Sequence, residues 1–113
     1  MVSRLLINDE AIVSETDPEL IRAKLNSEAA QIGWNELQRF FAGGKLLYVD
    51  PELDLIEVAF SIQQDDRAKV QFWMDQIQLS GVSDLQAKDW FASNCQLWTL
   101  VVKPWILVQL PRC

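Results

Sequence analysis

Histidine is absent from this sequence of 113 residues. Its absence excludes Ser-His-Asp and Cys-His catalysis in their common forms. It also removes the commonest metal ligand and the side chain that titrates nearest neutral pH. Proton-transfer catalysis would then need an Asp, Glu, Cys or Lys with a strongly shifted pKa. We therefore expect a protein that is not an enzyme and that uses no cofactor.

Positive charge is scarce and scattered. There are 10 Lys and Arg against 16 Asp and Glu, which gives a formal net charge of -6. The basic residues make no run along the chain. Affinity for nucleic acid and for anionic lipid comes largely from clustered Lys and Arg. The charge pattern therefore predicts that neither a nucleic acid nor a membrane is the partner.

Cysteines are few and long apolar runs are missing. Cys95 and Cys113 are the two cysteines, and the second is the last residue, so two reduced thiols are expected. Leu5-Leu6-Ile7 is too short for the core of a signal peptide. No stretch approaches the ~18 apolar residues of a membrane-spanning helix. The expected location is the cytoplasm.

The sequence nevertheless contains enough apolar residues to form a folded core. Half of the residues are hydrophobic and five are tryptophan, whereas disordered chains have few aromatic residues. The length corresponds to one domain. We predict a single α+β domain over residues 16–113. Residues 1–15 are predicted to be an N-terminal extension, either a frayed arm or a short added strand.

Capping signals and apolar residues at helical spacing predict four helices. The first begins at Thr16 or Asp17, and the second, shorter one ends at Gly43-Gly44. The third covers about residues 64–78, and Ser83 caps the fourth, with Gln86 three residues on. The expected inner stripe of the third helix consists of Val70, Trp73, Met74 and Ile77.

Three segments have strand character. Residues 45–50 form one predicted strand. Residues 53–62 form the next, because apolar residues alternate along it. Residues 97–110 are rich in β-forming residues, and Pro104 must lie there at an edge, a bulge or a break. The expected order is α-α-β-β-α-α-β, with helices packed on one face of a small antiparallel sheet of three or four strands.

Two segments resemble the bacterial family known as domain of unknown function 2288. They are V-D-P-x-L-D-L-I-E-V-A at residues 49–59 and P-W-x-L-V-Q at residues 104–109. The resemblance extends over about residues 20–110. It implies a small bacterial protein, and it implies no activity and no catalytic residue.

Three carboxylates allow an alternative function. Asp50, Asp54 and Glu57 lie close in sequence, and grouped carboxylates can share acid-base work or bind divalent cations. The structural interpretation is that Asp50 shapes a turn, Asp54 begins a strand and Glu57 faces solvent. If Asp54 and Glu57 belonged to one strand, their side chains would point to opposite faces of the sheet.

The last apolar segment is the predicted interaction surface. An unbroken strand would place Trp98 and Trp105 on opposite faces, and a bulge at Pro104 could bring them together. Tryptophan is enriched at binding hot spots, although two further core tryptophans would also fit. We predict a non-enzymatic interaction module that binds a protein partner or a second copy of itself through Trp98, Pro104, Trp105 and Gln109. The alternative is a small-ligand or metal-dependent enzyme that uses the three carboxylates.

Overall fold

The computed structural model describes residues 17–110. The predicted extension, residues 1–15, lies outside this part of the chain. The described residues form five helices and five strands, in a sheet with both parallel and antiparallel pairs. In chain order they are α1 (Pro18–Glu28), β1 (Ala30–Gly33), α2 (Trp34–Ala42), β2 (Leu46–Val49), α3 (Leu55–Gln63), α4 (Arg67–Asp75), β3 (Leu79–Gly81), α5 (Asp84–Ser93), β4 (Gln96–Val102) and β5 (Trp105–Gln109).

The predicted helix boundaries at α1, α2 and α5 are confirmed by their caps. Asp17 accepts a hydrogen bond from the backbone N–H of Glu19 at 2.9 Å, so it satisfies one of the free amides at the start of α1. Ser83 and Gln86 exchange side-chain to backbone bonds of 3.1 and 2.9 Å, which is a capping box. Gly44, with φ of 70°, ends α2 in a conformation that favours glycine.

The predicted strand over residues 53–62 is wrong, because this segment is helix α3. Asp54 caps it by accepting a hydrogen bond from the N–H of Ile56 at 2.9 Å. The buried residues Leu55, Val58 and Ala59 follow helical spacing. The run is apolar at nearly every position, so it fits a period of two and a period of 3.6 equally well. The cap decides between them.

The third predicted helix is shorter than expected. It covers Arg67–Asp75 as α4, so Ile77 falls in the following turn with φ of 58°. Ile77 is 78% exposed, and its prediction as an inner residue is therefore wrong. A β-branched residue rarely adopts a positive φ, and the sequence contains no glycine that would have marked this turn.

Among residues 17–110 the sheet has five strands in the order β1-β4-β5-β2-β3, more than the three or four predicted. It is not wholly antiparallel, because β2 and β5 are parallel neighbours. The missed strands β1 and β3 have four and three residues and are too short to show a period. Residues 97–110 form two strands, with Lys103 and Pro104 in the turn between them. Of the three options for Pro104, the break is confirmed.

Helices cover both faces of the sheet, so the prediction of helices on one face is wrong. Helices α1, α3 and α4 form the first layer, over an aliphatic core that includes Val58, Leu100 and Leu107. Helices α2 and α5 form the second layer, over a core that includes Trp34 and Trp90. Strand residues alternate between the two cores, as buried strands between two helical layers must.

Two tryptophans and Cys95 lie in the second core. Trp34 and Trp90 are core residues, with ring centroids 5.5 Å apart in an edge-to-face arrangement. Cys95 is buried beside them and disulfide-bonded, so the expected free thiol is wrong for this residue. Cys113, the other cysteine, lies outside the described residues.

Within residues 17–110 no helix has the length and apolar character to cross a membrane.

Candidate functional site

The predicted interaction residues all lie on the β4–β5 hairpin. Trp98 stands opposite Gln109, and Val102 stands opposite Trp105. Opposed residues of antiparallel strands point to the same face, so Trp98 and Trp105 both face the first helical layer. The two tryptophans share this face because β4 and β5 form a hairpin, and not because of a bulge at Pro104. They lie at opposite ends of it, about 13 Å apart along the strands at 3.3 Å per residue.

The Gln109 end of the hairpin is closed by hydrogen bonds. The side-chain amide of Gln109 donates to the carbonyl oxygens of Asp50 and Leu53 at 3.0 and 2.8 Å. The carboxylate of Asp50 accepts from the N–H of Glu52 at 2.8 Å. The backbone carbonyls of Asp50 and Leu53 and the Asp50 carboxylate are thus already paired. Gln109 fastens this loop to β5.

Trp98 lies over this closed end. Its side chain borders a depression of about 400 Å³ that also involves Asn26, Ala29, Asp54 and Gln109. The polar groups of Asp54 and Gln109 at its border are engaged in the cap and in the loop bonds just described. Among the residues that line this depression, Trp98 is the one large apolar side chain that is exposed.

Trp105 lies at the open end, in the wall of a groove of about 350 Å³. Side chains from four separate elements and a turn contribute to this groove. Its apolar lining consists of Leu47 of β2, Ile62 of α3, Val70 and Met74 of α4, and Trp105 of β5. Trp105 and Met74 are 37% and 41% exposed. An apolar groove with two exposed, large side chains offers a partner buried contact area.

The rim of the groove carries mostly negative charge. Asp65, Asp66 and Arg67 lie there beside Gln71. Arg67 pairs with Asp65 at 3.3 Å, and both side chains are exposed. Asp66 caps α4 by accepting a hydrogen bond from the N–H of Lys69 at 3.3 Å, and within residues 17–110 no Lys or Arg forms a salt bridge with it. A positively charged group on a partner would therefore be favoured at this rim.

The three carboxylates of the alternative function are not brought together. Asp50 shapes its turn and Asp54 caps α3. Glu57 forms a two-pronged ion pair with Arg22 of α1, and the Arg22 guanidinium also lies 4.2 Å from the centre of the Phe60 ring. Among residues 17–110 no group of three or more His, Cys, Asp or Glu side chains is placed to hold a metal ion.

One titratable group is perturbed near the closed end. Burial raises the pKa of the Tyr48 phenol above its ordinary value of 10.0, and the negative charge of Asp50 raises it further. The Tyr48 ring packs 5.7 Å from that of Trp90. A phenol with a raised pKa stays neutral, so Tyr48 is a packing residue rather than a base.

Sequence reasoning identified Trp105 but missed most of its surroundings. Val70 and Met74 were predicted to be inner residues of one helix, and Ile62 was predicted to lie on a strand. These residues lie far from Trp105 in the sequence, and the groove forms only when α3, α4, β2 and β5 come together in the fold.

The architecture is that of a small α+β domain with a mixed five-stranded sheet between two helical layers. The chain belongs to the family described as "Protein of unknown function (DUF2288)", whose model matches residues 20–110. This confirms the resemblance found in the sequence. The chain is also similar to the protein of the "NMR solution structure of PA1075 from Pseudomonas Aeruginosa", with 46% identity and a TM-score of 0.73. That match covers 82% of this chain and 86% of the other. No curated protein matches.

Proposed function

We propose that this chain is a non-enzymatic interaction module, and that it binds a segment of a partner protein in the groove beside Trp105. The observation that carries the proposal is the groove itself. Exposed Trp105 and Met74, from elements far apart in sequence, line it together with buried or half-buried aliphatic residues. Tryptophan in such a position has the large apolar area typical of a binding hot spot.

The chemistry of the groove defines the partner segment. It should present one or two large apolar side chains to Val70, Met74 and Trp105. A Lys or Arg beside them would meet the negative charge at Asp66. The net charge of -6 adds long-range attraction for a basic partner. Groove volume and charge together support a short apolar segment flanked by a basic residue.

The hairpin offers a matched pair of variants for the test. Trp98 and Trp105 have the same exposure of 37%, face the same helical layer and differ in the end they occupy. Trp105→Ala should weaken binding by about 2 kcal/mol, or roughly 30-fold, which is the hot-spot scale. Trp98→Ala should leave binding within about threefold, because surface changes away from an interface are small.

The experiment compares proteins captured from a bacterial extract by the wild type and by the two variants. A protein retained by the wild type and Trp98→Ala but lost with Trp105→Ala is then purified and titrated by calorimetry. Asp66→Asn should weaken the titrated affinity in low salt more than in high salt. Equal loss with both tryptophan variants, or loss with neither, would reject the groove as the binding site.

Light scattering tests whether the partner is instead a second copy. The wild type should stay monomeric over the concentration range of the titration. A dimer that forms with increasing concentration and disappears with Trp105→Ala would show self-association through the same groove. That outcome would overturn the choice of a separate partner protein.

A further inference from the structure

Helix α4 is held to the fold by less buried surface than the helix before it. All nine residues of Arg67–Asp75 are partly or strongly exposed. The half-buried side chains of Val70 and Trp73 attach α4 to the first core. The preceding helix α3 has four buried residues, Leu55, Val58, Ala59 and Ser61. Because helices in proteins are stabilised mainly by the packing of an apolar face, α4 is the more weakly held of the two.

A residue with a left-handed backbone stands at each end of α4. The angle φ is 58° at Asp65, just before the helix, and 58° at Ile77, just after it. At the second end the N–H of Gln78 donates to the carbonyl oxygen of Trp73 at 2.8 Å, across Ile77. Glycine is usual in such a turn, and the conformation is strained for a β-branched residue. The Ile77 side chain is largely exposed, so its burial does not offset this strain.

The chain on either side of these two turns is firmly packed. Before Asp65 lies α3, with its buried residues. After Ile77, the carbonyl oxygen of Gln78 accepts from the N–H of Asp50 at 2.8 Å, and Leu79 of β3 is buried and pairs with Val49. The strained turns thus separate a weakly held helix from two anchored elements. A helix of nine residues is not stable alone in water, so α4 unfolds when it leaves the core.

We propose that α4 opens as one unit between Asp65 and Ile77 while α3 and β3 stay folded, and that this opening controls access to the groove beside Trp105. Proteins open locally in such cooperative units, at a lower free energy than global unfolding. Strained backbone at both ends and little buried surface between them favour α4 as the unit that opens first.

The opening alters the groove because α4 forms part of its lining. Val70 and Met74 come from α4, whereas Leu47, Ile62 and Trp105 come from the anchored elements β2, α3 and β5. Departure of α4 removes its side chains and uncovers Leu47, which is buried in the closed state. A partner segment then meets more apolar surface than the closed groove presents. This role in binding rests on the proposed function, whereas the opening itself does not.

Amide hydrogen exchange measured by NMR on the full chain, without a partner, tests the opening. The amides of residues 70–75 should share one protection factor, at least about tenfold below that of the slowest amides of α3. Ile77→Gly should raise the protection of all these α4 amides about fivefold, because glycine adopts the left-handed conformation without strain. Ile77→Val is the matched control. It keeps the β-branched side chain and should change the protection by less than about twofold.

The two tryptophan variants test the link between the opening and the groove. A substitution changes the rate of a local opening only through contacts that the opening breaks. Trp105→Ala removes apolar surface that α4 faces across the groove, so the protection of the α4 amides should fall about fivefold. Trp98→Ala lies at the other end of the hairpin and should leave them within about twofold of the wild type.

Three results would overturn the proposal. Exchange of the α4 amides at the same free energy as those of α3 would show that α4 opens only when the whole domain unfolds. Protection that Ile77→Gly leaves unchanged, or that Ile77→Val raises equally, would reject the turn at Ile77 as an end of the opening unit. Equal responses to the two tryptophan variants would reject control of the groove. All of these measurements use the free chain, so failure to find a partner at Trp105 would reject the proposed function and leave the opening standing.

Discussion

At one end of the β4–β5 hairpin a tryptophan stands opposite a glutamine, and at the other end a tryptophan stands opposite a valine. The glutamine, Gln109, holds two loop carbonyls and closes its end. Opposite Val102, the side chain of Trp105 instead lies in the wall of an apolar groove. Trp98 and Trp105 are therefore equally exposed, but their surroundings differ. A tryptophan marks an interface only when its neighbours leave apolar surface uncovered.

The middle of the hairpin should be the most sensitive to change. Leu107 is fully buried between the two ends and pairs with Leu100. We expect Leu107→Ala to lower the free energy of unfolding by about 3 kcal/mol, through lost burial and the cavity left behind. Urea unfolding measures this. A loss below about 1 kcal/mol would mean that the core around the hairpin collapses easily, and that both ends are less rigid than described.

The closed end should be the next most sensitive. Gln109→Ala removes the hydrogen-bond donor of two carbonyl oxygens. We therefore expect it to lower the free energy of unfolding by about 2 kcal/mol. The matched control at the groove is Gln71→Ala, because the Gln71 side chain donates to Asp75 at 2.9 Å in an exposed position. The control should stay within about 0.5 kcal/mol of the wild type. Similar losses in the two variants would remove the distinction between the ends.

Two of the three aspartate caps of the described helices, one at each end of the hairpin, extend the same comparison. Asp54 caps α3 at the closed end at 2.9 Å, and Asp66 caps α4 at the groove at 3.3 Å. Replacement of such a cap by alanine costs about 1 kcal/mol. We expect Asp54→Ala to reach this value and Asp66→Ala to stay below it, because its bond is longer. Thermal unfolding of both variants checks the order, and the reverse order would contradict it.

The smallest expected effect concerns pH. The pKa of Tyr48 is raised in the folded state, so the folded protein keeps a proton that the unfolded chain releases. Its contribution to stability is complete below pH 10 and is lost as the pH rises through the folded pKa. Tyr48→Phe cannot ionise, so its stability should fall less steeply above pH 10. Parallel curves for the two proteins would show that Tyr48 is not perturbed.

Local signals predicted several elements because their physics is local. Asp17 and the Ser83–Gln86 pair act on amides within three residues, so the sequence shows them directly. The segment 53–62 failed because its apolar residues satisfy both periods. Strands β1 and β3 were missed because three or four residues form a strand only when a neighbour supplies their hydrogen bonds.

The candidate site also combines features with a local sequence signal and features that depend on the fold. Trp105 was predicted to be an interaction residue because it directly follows Pro104 in an apolar segment, where an edge, a bulge or a break is expected, and because tryptophan is enriched at binding hot spots. Gln109 was identified as well, but its position among the carbonyls of Asp50 and Leu53 follows from contacts more than fifty residues apart. The groove partners Ile62, Val70 and Met74 carried no signal of their own, because an apolar residue at such spacing has the same pattern whether it is buried in the core or lines a groove.

Composition and short-range chemistry alone determined several properties of this protein. They are the acidic charge, the absence of histidine, an α+β fold, several helix caps and the likeness to its family. Only the tertiary structure decided that helices cover both faces of the sheet, which end of the hairpin is closed, and where the groove lies. The reason is that these features depend on side chains meeting across the fold, and a one-dimensional pattern does not record which apolar faces meet.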